Sequence, residues 1–105
     1  MKFKLTNDMT GGSFIGQFTL PYKDVVKIFG NPNFCPSFDD KVMVEWDIEF
    51  EDGLRASIYN WKDGKNYDPE DGLPKTKLFE WHVGGDNPKV FEYVINLVRE
   101  YEGKK

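Results

Sequence analysis

Cysteine is almost missing from this chain: Cys35 is the only one among 105 residues. With no second thiol there is no intramolecular disulfide, no CxxC and no cysteine-rich zinc site, and a reducing cytosol suits such a chain best. Long hydrophobic runs are lacking as well. The start, MKFKLTNDMTGG, alternates Phe3 and Leu5 with lysines and has no signal-peptide core, and no stretch approaches transmembrane length. The expectation is a protein neither exported nor membrane-spanning. Repeats, linkers and low-complexity tracts are missing too, so residues 1–105 read as a single domain with EGKK as a frayed tail. Basic charge is in short supply: 14 Lys and Arg against 18 Asp and Glu leave a net charge of −4. That balance disfavours direct nucleic-acid binding, which draws affinity from clustered cations on phosphates. It is too mild for a DNA mimic.

Aromatic residues, in contrast, are plentiful, at nine Phe, five Tyr and three Trp. Some therefore have room to lie outside the core. Thr10 to Ser13 reads as a Gly-rich turn, and FIGQFTL after it as a strand with Phe14, Phe18 and Leu20 on one face. Pro21 then opens a helix at the position where its missing N–H costs nothing, with Tyr22, Val25, Val26 and Phe29 as one apolar stripe, Gly30 as its stop and Pro32 beyond. Asn87 and Pro88 start a longer helix whose broad apolar side runs from Val90 to Tyr101, ending at Gly103. It should cover a sheet.

In that sheet, VMVEWDIEFEDGLRASIYNW holds two strands joined at Asp52-Gly53, and the turn type decides the register. A two-residue loop sets Ile48 against Ser57. A three-residue loop over Glu51, Asp52 and Gly53, with Gly53 left-handed, instead pairs Phe50 with Leu54, Ile48 with Ala56 and Trp46 with Ile58. The second is preferred, because it puts Val44, Trp46, Ile48, Phe50, Leu54, Ala56 and Ile58 on one core face and sets Glu49 opposite Arg55. Met43, Glu45, Asp47, Glu49, Arg55, Ser57, Tyr59 and Trp61 then share the other face. In KLFEWHV, Phe79, Trp81 and Val83 alternate with Leu78, Glu80 and His82; with the first set inward, Glu80 and His82 join Tyr59 and Trp61. The expected fold is α+β: a three- to four-stranded antiparallel sheet in the order β-α-β-β-β-α, both helices on the face bearing Trp46, Ile48 and Ile58.

Candidate binding residues follow from that face: Glu45, Tyr59, Trp61, Lys62, Lys65, Tyr67, Glu80 and His82. Two readings of Tyr59 and Trp61 stand side by side, an exposed recognition surface or a pair packed under the loop from Lys62 to Thr76. Lone His82 reads more readily as a hydrogen-bonded surface histidine than as a base, and no residue is assigned a catalytic role. Cys35, between Phe34 and Pro36, reads as a buried, inert thiol. Asp68, Glu70 and Asp71 lack the calcium-loop spacing, and WKDGKNY lacks the glycines and context of a phosphate loop. No cofactor or metal is expected.

The order LPYKDVVKIFGNP, VEWDIEFEDGLRASIYNWKDGKNY and FEWHVGG resembles a group of small, mostly uncharacterised proteins of tailed bacteriophages. The matching residues are Tyr22, Phe29, Gly30, Pro32, Glu45, Trp46, Ile58, Tyr59, Lys62, Gly64, Lys65, Tyr67, Trp81, His82, Gly84 and Gly85, in the pattern FGxP, EW, IYxxKxGKxY, WHxGG. The resemblance spans about residues 14 to 98. It implies a setting, an accessory factor in the host cytoplasm, and no catalytic residues. From it comes the expectation of a non-enzymatic inhibitor of a host defence system, anti-CRISPR or similar, that binds a host defence protein. The alternative is an oligomeric sponge for a nucleotide defence signal, with Tyr59, Trp61 and Tyr67 stacking on a base and Lys62 and Lys65 holding phosphates. An enzyme using His82 with Glu80 or Glu45 is a third and weaker reading.

Overall fold

In the computed structural model, which describes residues 1–8, 12–33, 42–65 and 67–104, the Asp52-Gly53 turn takes the three-residue form. Gly53 has φ +88°, its N–H donates to the Phe50 carbonyl at 2.9 Å, and the Phe50 N–H donates to the Leu54 carbonyl at 2.8 Å. Strands β3 (Glu45–Phe50) and β4 (Arg55–Tyr59) accordingly pair Trp46 with Ile58, Ile48 with Ala56 and Glu49 with Arg55. Arg55 Nε lies 3.0 Å from Glu49 Oε1, the expected cross-strand ion pair. Cys35, and Thr10 and Gly11 of the expected first turn, fall outside the described residues.

Three further strands complete an antiparallel sheet of order β1-β3-β4-β5-β2: β1 (Phe3–Leu5), β2 (Ser13–Thr19) and β5 (Glu80–Gly85). Among the described residues the sheet thus has five strands rather than three or four. The added one is β1, where the Phe3/Leu5 alternation pairs with Phe50 and Ile48 and places Phe3 5.3 Å from the Phe29 ring. Helices α1 (Tyr22–Phe29) and α2 (Lys89–Gly103) both pack on the face bearing Trp46, Ile48 and Ile58. Gly30, at φ +87°, ends α1, and the Asn87 side chain accepts the Lys89 N–H at 3.0 Å to open α2.

Val25 and Phe29 of α1, Val90, Val94 and Val98 of α2, and Trp46, Ile48, Ala56, Ile58, Trp81 and Val83 of the sheet form the core. Two tryptophans lie at its centre, edge to face at 5.2 Å. Neither leaves its indole N–H unpaired: Trp46 donates to the Gly30 carbonyl and Trp81 to the Leu20 carbonyl, each at 2.8 Å.

Two side-chain placements differ from the strict alternation. A bulge between Phe14 and Gly16 shifts the register of β2, so Gly16 and Phe18 face the core opposite Val83 and Trp81 while Phe14, opposite Gly84, turns to the other face. Phe14 is 55% exposed and does not share a face with Phe18. Gly16 is needed on the inner side, since a Cβ there would lie 2.6 Å from the Phe91 ring of α2. The second difference lies before β5. Leu78 is fully buried and Phe79 exposed, the reverse of the alternation, because β5 begins only at Glu80 and a 3₁₀ turn over Lys75–Lys77 sets the direction of the two residues ahead of it. The carbonyls of Leu78 and Phe79 accept the N–H groups of Tyr22 and Leu20, tying this entry segment to the start of α1.

Candidate functional site

On the sheet face opposite the helices, register brings residues from four strands into one row: Gln17 of β2 faces His82 of β5, His82 faces Tyr59 of β4, and Tyr59 faces Glu45 of β3. The next row runs Phe14, Gly84, Ser57, Asp47. Because Gly84 has no side chain, the flipped Phe14 leans toward His82, with ring centroids 4.8 Å apart. Tyr59 meets His82 edge-on at 5.6 Å, and Trp61 stacks on it at 6.3 Å and 22°. His82 is therefore the hub of a cluster of four rings.

Trp61 lies just beyond the end of β4, so the chain must be held there for it to reach this cluster. Asn60 does that. It is fully buried, its Oδ1 accepts the N–H groups of Met43 at 2.6 Å and Val44 at 3.0 Å, and its Nδ2 donates to Asp63 Oδ1 at 2.9 Å. Lys62 then takes a left-handed backbone conformation, φ 61°, which non-glycine residues seldom adopt. Its ammonium is 5.8 Å from both the Trp61 and the Tyr67 ring centres.

Beyond Lys62 the described residues of the loop bond to one another. The Lys65 N–H donates to the Leu73 carbonyl, the Leu73 N–H donates to the Asp63 carbonyl, and Gly64 and Leu73 form a parallel bridge. Trp61 stays 43% exposed.

At the other end of the row two carboxyl groups sit side by side. Glu45 and Asp47 are two apart on β3 and share a face. Burial, then a hydrogen bond to Asp47 and the negative charge of that neighbour, push the Glu45 carboxyl up to about 8. Burial and the Glu45 charge raise the Tyr59 hydroxyl above its ordinary value. Asp47 is only 7% exposed. Its backbone N–H donates to Asn33 Oδ1 at 2.9 Å, yet its own Oδ1 accepts no hydrogen bond from any N–H or hydroxyl group.

Of the residues singled out from the sequence, Glu45, Tyr59, Trp61 and His82 come together, and Lys62 links Trp61 to Tyr67. Glu80 is exposed at the start of β5, beside a small cavity of about 110 Å³ lined in part by Gln17, Thr19 and His82. Lys65 is exposed on the closed loop. Phe14, Asn60 and Asp47 belong to the site and were not among the candidates. Asp47 was legible from the strand alternation, whereas Phe14 needed the bulge and Asn60 needed its distant partners.

No group of three or more His, Cys, Asp or Glu side chains among the described residues is arranged to hold a metal ion. No helix among them is long and apolar enough to cross a membrane. Comparison with protein-family models finds none that matches the chain, and comparison with curated proteins finds no significant match.

Proposed function

We propose that the protein is a non-enzymatic binding protein whose recognition surface is the sheet face carrying Phe14, Tyr59, Trp61 and His82, flanked by Glu45 and Asp47. The observation that carries this reading is a pre-positioned ring cluster left open, with Trp61 43% and Phe14 55% exposed. Large aromatics held rigidly at a surface lose little freedom on binding and serve as interface anchors. The phage resemblance supplies the setting: an accessory factor in the host cytoplasm that inhibits a defence system, anti-CRISPR or similar, by occupying a host defence protein.

Among the described residues, the dimensions of the face favour a protein over a nucleotide. Small-molecule sites usually enclose about 300 Å³ or more, and the depression beside His82 holds about 110 Å³.

The test is a comparison of tagged wild-type protein and Trp61→Ala as baits in host lysate, with heat-denatured bait analysed in parallel for released nucleotide. A host defence protein held by wild type and lost from the variant is expected. Nucleotide released in stoichiometric amount from wild type would replace this reading with the sponge.

A further inference from the structure

The two edges of the sheet are built differently. Strand β1 is three residues long and carries Lys4, with Lys2 just before it, the usual guards against pairing with a further strand. Strand β2, at the other edge, is seven residues long, and the sequence holds no charged residue between Asp8 and Lys23. Its bulge lies at Phe14 and Gly16, which leaves Gln17 to Thr19 in regular register. The Leu20 N–H donates to the Phe79 carbonyl, so by the antiparallel alternation Phe18 also bonds toward β5, while the N–H and C=O groups of Gln17 and Thr19 point outward. Both residues are exposed, and among the described residues no strand pairs with this side of β2. Helix α2 flanks the same edge. The Phe91 ring sits over Gly16, and Phe91, Glu92, Ile95, Asn96 and Arg99 line a depression of about 300 Å³. Glu92 and Arg99 are both exposed and, among the described residues, in no salt bridge.

We infer that a second copy of this chain pairs antiparallel along this edge, about a two-fold axis through Phe18, with Glu92 on each α2 facing Arg99 on the other. Gln17 and Thr19 of one copy then exchange backbone hydrogen bonds with Thr19 and Gln17 of the other, and the two Phe18 side chains meet beneath the helices. What favours a second copy over a strand of another protein is the charge on α2. This helix runs in the same sense as β2, from Phe91 over Gly16 to Tyr101, whose hydroxyl donates at 2.6 Å to Asp24, just past the end of the strand. Four residues of helix and two of strand both advance about 6 to 7 Å, which brings Ile95 level with Phe18. Glu92 and Arg99 lie on either side of Ile95, and a two-fold at that level sets an acid against a base at both ends of the interface. A foreign strand would meet the edge without using them. Trp61 and His82 stay outside the interface, so the pairing does not depend on the recognition reading.

The test is sedimentation equilibrium of the full chain over a range of concentrations, with circular dichroism to show that each variant is folded. Wild type is expected to pass reversibly from monomer to dimer, and hydrogen exchange at the Gln17 and Thr19 amides to slow as the dimer forms. Thr19→Pro removes an outward donor and no bond within the sheet, and should leave a folded monomer. Glu92→Arg and Arg99→Glu, each placing like charges together, should weaken the dimer about tenfold or more, and the double swap should restore it. Trp61→Ala should dimerise as wild type does, whether or not it keeps a host partner, which separates this test from that of the recognition face. A monomer at every concentration would overturn the inference. So would a folded Thr19→Pro that still dimerises, unchanged exchange at the Gln17 and Thr19 amides, or single reversals that the double swap does not rescue. If those amides are protected only when a host protein is bound, the edge belongs to a foreign strand and not to a second copy.

Discussion

Three side chains set the behaviour of this protein one residue at a time. Trp46 is fully buried, edge to face with Trp81, and its indole N–H is used by the Gly30 carbonyl. Trp46→Ala removes packing and an internal donor together, and should cost about 3 to 5 kcal/mol in denaturant melts; a neutral result would contradict the face assignment. Asn60 works differently, since it contributes hydrogen bonds and no apolar area. Asn60→Ala leaves the buried Val44 N–H without its partner, and should cost about 1 to 3 kcal/mol. It should also release Trp61 from its place over His82, seen as a change in indole fluorescence or ring-current shifts. Phe14 shows the reverse case, an apolar residue whose placement outside the core follows from the Phe14/Gly16 bulge and not from its own chemistry.

At the level of elements, the hairpin was readable in advance and the edge strands were not. Only the three-residue turn puts seven apolar residues of β3, β4 and their flanks on one side while pairing Glu49 with Arg55, so pattern and charge agreed on a single register. Gly53→Ala tests that turn. At φ +88° it should lose about 1 to 2 kcal/mol, with Gly53→Asn losing less, in thermal or chemical melts. Helices α1 and α2 were equally legible from proline, glycine and apolar spacing. Strand β1 is only three residues long and is recognisable mainly through its partner β3, and the β2 bulge breaks the period of two that reveals a strand. The candidate site was legible as far as alternation carried it, through Glu45, Tyr59 and His82. The loop after Asn60 is organised by bonds to Met43, Val44 and Leu73 that local pattern does not encode.

For the whole molecule, the Glu45–Asp47 pair ties stability to pH. The folded protein holds the Glu45 proton up to about 8, whereas the unfolded chain releases it near 4.5. The folded state therefore binds more protons in that window, and stability should fall as pH rises through it, by at most about 1.4 kcal/mol per pH unit. Glu45→Gln should flatten the decline. Asp52, held below its ordinary value chiefly by the Tyr93 hydroxyl, acts at lower pH and with the opposite sign. The same pair lies at the end of the ring row, so one face of the sheet carries both that proton and the proposed anchor for a partner. Trp61→Ala, with melting midpoint and partner affinity measured on the same preparation, tests that account most directly. The prediction is a midpoint close to wild type and an affinity loss of about 2 kcal/mol or more. A variant that melts early yet binds as wild type, at a temperature where it is folded, would contradict it.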